Sequence, residues 1–320
     1  MSRLLKGWFI AACALFAVPG AAQEKLNIFI ATGPTSGVYY PMGGGLADLL
    51  TKHVPGLNAT AGTTAGSIAN LQLMMSGQAQ VAFSMADASW DAYKGQQKFQ
   101  DKPVPVRALM VLYPNRMHIV TVEGTGINKF SDLKGKRVST GAVNSATEVM
   151  ALRVLEAYGM GLKDIIQERL DPGKSADAIK DKKLDAFFWV GGVPTSAVTD
   201  LAATPGMKLK LVDHSDALEP MIKKYGPLYV KDAIAAKSYP GQEAANQIVT
   251  VWNVLIARAD IPDRLAYDIV KTLFDRKEDM VRVHGDAKSF DLRYQTNAAA
   301  VIPFHPGAVK YFREKGLDVK

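Results

Sequence analysis

The chain has 320 residues, 48% of them hydrophobic and 22% charged, with a formal charge of +7 and a single cysteine. That is the composition of a folded globular protein, and the length suits two lobes, each with its own core. It excludes a disordered chain and a disulfide scaffold; the positive excess lacks the basic, aromatic-interleaved stripe of nucleic-acid binding, so no nucleic-acid partner is expected.

Residues 1–22 read as a signal peptide. Met1 to Gly7 is short and basic, with Arg3 and Lys6; Trp8 to Val18 is apolar; Gly20-Ala21-Ala22 offers small residues for cleavage before Gln23. The apolar run is too short to span a bilayer. Cys13 lies within it, and Ile10-Ala-Ala-Cys13 faintly resembles a lipoprotein box, with very little apolar sequence ahead of it. Cleavage after Ala22 leaves a chain with no cysteine and hence no disulfide. A chain of this size exported without cysteine fits a bacterial periplasm.

Beyond the leader, short apolar runs alternate with amphipathic segments. Leu26 to Ile30 predicts a strand, and Leu46, Leu49 and Leu50 mark one face of a helix ending near His53, before Pro55-Gly56. Leu57 to Ala61 is a short strand; Ile68, Leu71 and Met75 mark a helix closed by Gly77; Val81 to Met85 is a strand. Val106 to Leu112 and His118 to Val122 read as two strands broken at Pro114-Asn115. Gly135 to Thr140 is a strand with a loop at its end, and Ser145-Ala-Thr-Glu148 matches a capping box opening a helix that runs to Gly159. Ile165 to Leu170 is a strand, Ser175 is placed to cap a helix to about Lys183, and Leu184 to Val190 and Lys208 to Val212 are strands. Residues 213–320 read as mostly helical except for a strand at about Ile248 to Ala257, with one helix that takes Pro262 in its first turn and presents Leu265, Ile269 and Leu273, and a last helix from Pro306 to Gly316.

Strands alternating with helices imply an α/β fold with parallel sheets. The expected organisation is lobe I over 23–117, lobe II over 118–212, and a hinge and C-terminal helical region over 213–320, part of which returns to lobe I. No tandem repeat is visible.

Three glycine- and hydroxyl-rich loops each open a helix: Thr32-Gly-Pro-Thr-Ser-Gly37, Gly62-Thr-Thr-Ala-Gly-Ser67 and Gly141-Ala-Val-Asn-Ser145. A helix start presents unpaired N–H groups and the positive end of the helix dipole, so it can hold an anion without Arg or Lys. Each loop read alone is an ordinary cap; three together suggest a pocket that holds a small acid without changing it. Enzyme chemistry finds no support. The second loop lacks the lysine of a nucleotide-binding loop, since Ser67 stands in its place. Ser131-Asp-Leu-Lys134 has the spacing of a serine nucleophile and its base but neither companion triplet, and reads as a capped turn. His53, His118, His214, His284 and His305 show no metal-ligand spacing, and His118 reads as a hydrogen-bonded structural histidine. No catalytic residue, metal or cofactor is expected. Among the aromatics, Trp189 shares a strand face with Phe187, sits at a strand's carboxyl end, and is the candidate for the pocket.

The ordered series of motifs resembles the TAXI class of TRAP-transporter solute receptors from about Leu26 to Gly316. It runs through Thr32-Gly33, Gly37-Val-Tyr-Tyr-Pro41, Gly66-Ser-Ile-Ala-Asn-Leu71, Asp87, Asp132-Leu-Lys-Gly-Lys-Arg-Val138, Gly141 to Glu148, Asp185-Ala-Phe187 and Pro303-Phe-His-Pro-Gly-Ala308. The resemblance implies a two-lobed periplasmic binding protein fold (type II-like) that closes on a ligand in the cleft. It implies a monomer that takes a small carboxylate, either a glutamate-like amino acid or a C4–C5 dicarboxylate or 2-oxo acid, to membrane-embedded TRAP subunits. The same fold also serves ABC importers and sensor kinases, and a hydrolase on it would need a nucleophile–base pair that the sequence does not offer. Carried over by motif, the pocket uses Thr32, Gly33, Tyr40, Ser67 and Asn70 from the first lobe and Asn144, Ser145, Thr147 and Trp189 from the second. Met85 departs from a common Gln, and Asn144 and Ala146 from Gly, which bears on the exact ligand.

Overall fold

The computed structural model describes residues 25–320, so the leader and Cys13 lie outside the described residues. The chain runs β1 (Leu26–Ala31), α1 (Tyr39–His53), β2 (Leu57–Gly62), α2 (Ser67–Met75), β3 (Val81–Met85), α3 (Ala86–Lys94) and β4 (Val106–Val122). It continues through β5 (Arg137–Ser139), α4 (Ala146–Ala157), β6 (Ile166–Glu168), α5 (Pro172–Lys180), β7 (Ala186–Gly191), α6 (Ser196–Ala203) and β8 (Leu209–Leu211). It closes with α7 (Leu218–Tyr225), β9 (Tyr229–Ile234), β10 (Asn246–Arg258), α8 (Asp263–Asp275), α9 (Lys277–Val283), α10 (Asn297–Ala300) and α11 (Pro306–Glu314).

The strands lie in the order β2-β1-β3-β10-β4-β7-β5-β6, with β8 beside β4 and β9 beside β10. β1 pairs in parallel with β2 and β3, and β5 with β6 and β7. These are two parallel halves of the expected kind. Two long antiparallel strands join them. β4 pairs with β10 over its first part and with β7 and β8 over its second. The two strands expected on either side of Pro114 are therefore one. A proline without an N–H is tolerated there because the register shifts between Trp252 and Val254, opposite Pro114, and a bulge does not need that hydrogen bond.

The C-terminal third returns to the first half, where β10 also pairs with β3, and Ala108 bridges Phe304. It holds a strand that the hydropathy missed. β9 buries only its end residues, Tyr229 and Ile234, carries Lys231 and Asp232 between them, and pairs with β10. α5 starts earlier than expected, because Asp171 rather than Ser175 caps it, accepting from Lys174 N at 3.0 Å, with Pro172 in its first turn.

The main core runs from the first half, with residues such as Ile30, Leu46, Leu71, Phe83, Val111, Ile256 and Phe312, into the second, with Val138, Met150, Val154 and Phe188. A smaller cluster around Phe187, Val198 and Ile248 supports β7 from the other side. Close approach needs glycine at Gly43, where a Cβ would lie 2.3 Å from Thr32 Cγ2; α1 could not otherwise settle on β1. Arg153 on α4, only 4% exposed, bonds Asp91 and Asp87 on α3 and Tyr229 on β9, and so ties the two halves together.

Candidate functional site

The three loops meet. Pro34 and Gly37 from the first, Ala65 to Ser67 from the second and Ser145 from the third line one cavity, together with Tyr39, Met85, Tyr113, Thr147, Trp189 and Val190. It lies past the carboxyl ends of β1, β2, β3 and β7, where ligands bind in open α/β sheets. It is tight in this conformation, for the centre of a water molecule finds only about 30 Å³ in which to move. No Asp, Glu, Lys, Arg or His is among the lining residues.

Two helices open onto this space. The residue before α2 is Gly66, whose φ of +116° only glycine holds without strain. Ser67 follows, 2% exposed, and its Oγ accepts from Met85 N at 3.1 Å. α4 is capped by Ser145, whose Oγ accepts from Glu148 N at 3.2 Å and donates to Ala142 O at 2.7 Å. The reciprocal half of the expected capping box is absent: Ser145 N donates to Ala142 O, and the Glu148 carboxylate pairs with Arg169. Among the described residues, the N–H groups of Ser67 and Ile68 in α2 and of Ala146 and Thr147 in α4 meet no acceptor. Four free donors at two positive helix ends make a fitting place for an oxyanion.

Trp189 is fixed by a chain of hydrogen bonds. Its Nε1 donates to Thr195 Oγ1 at 2.9 Å; Thr195 N donates to the Tyr239 hydroxyl at 3.1 Å; that hydroxyl donates to His118 Nε2 at 2.8 Å. His118 Nδ1 in turn donates to Arg116 O at 2.9 Å. Burial holds this imidazole neutral by lowering its pKa to about 4. His118 is thus structural, as its strand position suggested.

Of the nine residues expected at the pocket, the structure brings Ser67, Ser145, Thr147 and Trp189 together on the cavity wall. The other five lie elsewhere. Thr32 is fully buried and gives its hydroxyl to Gly62 O at 2.6 Å. Gly33 lies beneath the Tyr39 ring. The Asn70 amide is spent on Thr32 O and Phe83 O, at 2.6 and 2.8 Å, and accepts from Thr64. Asn144 gives its carbonyl to Ala69 N, 3.1 Å away, at a φ of +62° that Asn tolerates. Tyr40 is 40% exposed and lines an outer groove with Pro194 and His284. Consecutive helix residues point about 100° apart, so only one of the tyrosine pair can face the cleft, and it is Tyr39. Its hydroxyl donates to Asn253 on β10 and accepts from Asn115 at 3.5 Å.

Tyr113 had no sequence signal. It is fully buried in β4, lines the cavity, and its hydroxyl has no hydrogen-bond partner. Among the described residues no group of three His, Cys, Asp or Glu could hold a metal, and no helix is long and apolar enough to cross a membrane.

Residues 30–316 match the family model described as the NMT1-like family. The chain belongs to that family. Its fold is that of the two-lobed periplasmic binding proteins. A structure titled a periplasmic transporter aligns with a TM-score of 0.54 at 12% identity, over 82% of this chain and 87% of that one. A putative L-cystine ABC transporter from Listeria monocytogenes aligns at 0.51 and 15% identity, over 82% and 95%. An ancestral arginine-binding protein bound to arginine aligns at 0.50 and 12%, over 81% and 96%. At such identities these likenesses bear on the fold of this NMT1-like chain alone.

Proposed function

We propose that this protein is an extracytoplasmic solute receptor that captures a small organic acid between its lobes and delivers it to a membrane transporter. The observation that carries this is the pair of helix starts, α2 and α4, facing one cavity with four unspent N–H groups and no charged side chain. Such a wall holds an anion and offers no nucleophile with an adjacent base. Closure on the ligand is the signal that the membrane partner reads. The resemblance to TAXI receptors supports a TRAP-type partner and a periplasmic protein freed of residues 1–22. The fold shared with the Listeria protein titled an ABC transporter supports an ABC importer as the second reading.

A thermal-shift screen of amino acids, 2-oxo acids, mono- and dicarboxylates, sugars and cations tests the capture step. An acid at 100 times its Kd adds about 2.7 kcal/mol to the folded state, a rise of several degrees for a chain of this size. A midpoint moved only by sugars or cations sinks the reading.

A further inference from the structure

The cavity wall is rich in hydrogen-bond donors and poor in acceptors. The indole N–H of Trp189 is spent on Thr195, and the Ser145 hydroxyl on Ala142 O. Thr147 Oγ1 accepts from Val190 N at 3.4 Å, which leaves its proton to give. Tyr113, 0% exposed, has a hydroxyl with no partner. Burial and the nearby Tyr39 and Asp286 push its pKa well up, so it stays an O–H donor. With the four helix-start N–H groups, this wall has donors to spare for one carboxylate and for one further acceptor oxygen.

It cannot serve an ammonium group, which brings three donors of its own and needs a carboxylate or several carbonyls; no acidic residue lines the cavity. A second carboxylate fares no better. No cationic side chain lines the space to pair with it. Unpaired charge in a closed cleft is costly. The small free space also favours a compact molecule.

Resting on the anion-receptor reading above, we infer that the ligand is a compact 2-oxo or 2-hydroxy monocarboxylate without an ammonium group. Its carboxylate sits at the starts of α2 and α4, and its α-oxygen meets the Tyr113 hydroxyl. Tyr113 is then the residue that sets specificity.

Calorimetric titration of the wild type and Tyr113→Phe with pyruvate, propanoate, L-glutamate and succinate tests this. Removing an unpartnered buried hydroxyl leaves the fold intact, which a melting curve checks. Wild type binds pyruvate at least about tenfold tighter than the other three, and Tyr113→Phe loses about tenfold for pyruvate while propanoate stays within about twofold. Tightest binding by glutamate or succinate overturns the ligand class and leaves the anion receptor standing. Pyruvate affinity unchanged in Tyr113→Phe overturns the role of Tyr113. If none of the four binds, the anion-receptor reading falls and takes the ligand class with it.

Discussion

The backbone N–H of Ala69 donates across the cleft to the carbonyl of Asn144, 3.1 Å away, and so ties the first turn of α2 to the residue just ahead of α4. Asn144 can aim its carbonyl there because its φ is +62°. A second bond, from the Ser196 hydroxyl at the start of α6 to Ser36 O at 2.9 Å, joins the loop before α1 to the opposite side.

The left-handed conformation of Asn144 makes a direct prediction. Asn144→Gly keeps the turn and leaves stability nearly unchanged. Asn144→Val forces a β-branched residue into it and costs about 1–2 kcal/mol. Urea unfolding of the two variants measures the difference; equal midpoints would mean that the turn relaxes and that its geometry does not matter.

Ser145 separates capping from ligand binding. Ser145→Ala removes the oxygen that accepts from Glu148 N and costs about 1 kcal/mol of stability. Ser145→Asp keeps a capping oxygen and puts a negative charge on the cavity wall. It melts close to the wild type without ligand and loses at least about tenfold in carboxylate affinity, or roughly 1.4 kcal/mol. Melting curves and titrations read the two effects apart, and undiminished affinity in Ser145→Asp would place the anion elsewhere.

Arg153→Met tests the tie between the halves. The substitution fills much of the same volume but leaves Asp87 and Asp91, 0% and 5% exposed, without their cation. Stranding buried carboxylates costs about 3–5 kcal/mol. A denaturation midpoint within error of the wild type would show that water reaches these carboxylates.

How far the site could be read from sequence depends on what each residue's role is local to. The starts of α2 and α4 were legible because Gly66-Ser67 and Asn144-Ser145 carry their backbone demands in their own chemistry. The choice between Tyr39 and Tyr40 was not, since it turns on where α1 begins to a single residue. Thr32 and Asn70 have the polar groups of a binding site, yet they spend them holding loops to strands, an assignment only the fold can make. Tyr113 is recognised by a partner it lacks, which no stretch of sequence displays. In the fold, the parallel halves followed from hydropathy. The unbroken β4 did not, because what accommodates Pro114 is a register shift against β10, more than a hundred residues away in sequence.

His118 makes stability depend on pH in a predictable direction. Its folded pKa is lowered to about 4 by burial, with Arg116 and His214 also opposing its charge. Below its unfolded value of about 6.5, the unfolded chain takes up a proton that the folded chain refuses. The neutral group costs nothing above that pH, and its share of stability falls as pH drops from about 6.5 towards 4. His118→Gln keeps a donor and an acceptor without titrating. Between pH 7 and pH 5 the wild type should lose roughly 1–2 kcal/mol more than this variant, measured by chemical unfolding at each pH. Parallel losses would mean that His118 is protonated in the folded protein.

The central claim is that one small anion sits between the starts of α2 and α4. Native mass spectrometry of wild type and Ser145→Asp, each purified from the exported fraction without refolding, tests it most directly. The account predicts one small acidic adduct on the wild type and none on Ser145→Asp. The same adduct on both proteins, or a sugar or cation in its place, would contradict it.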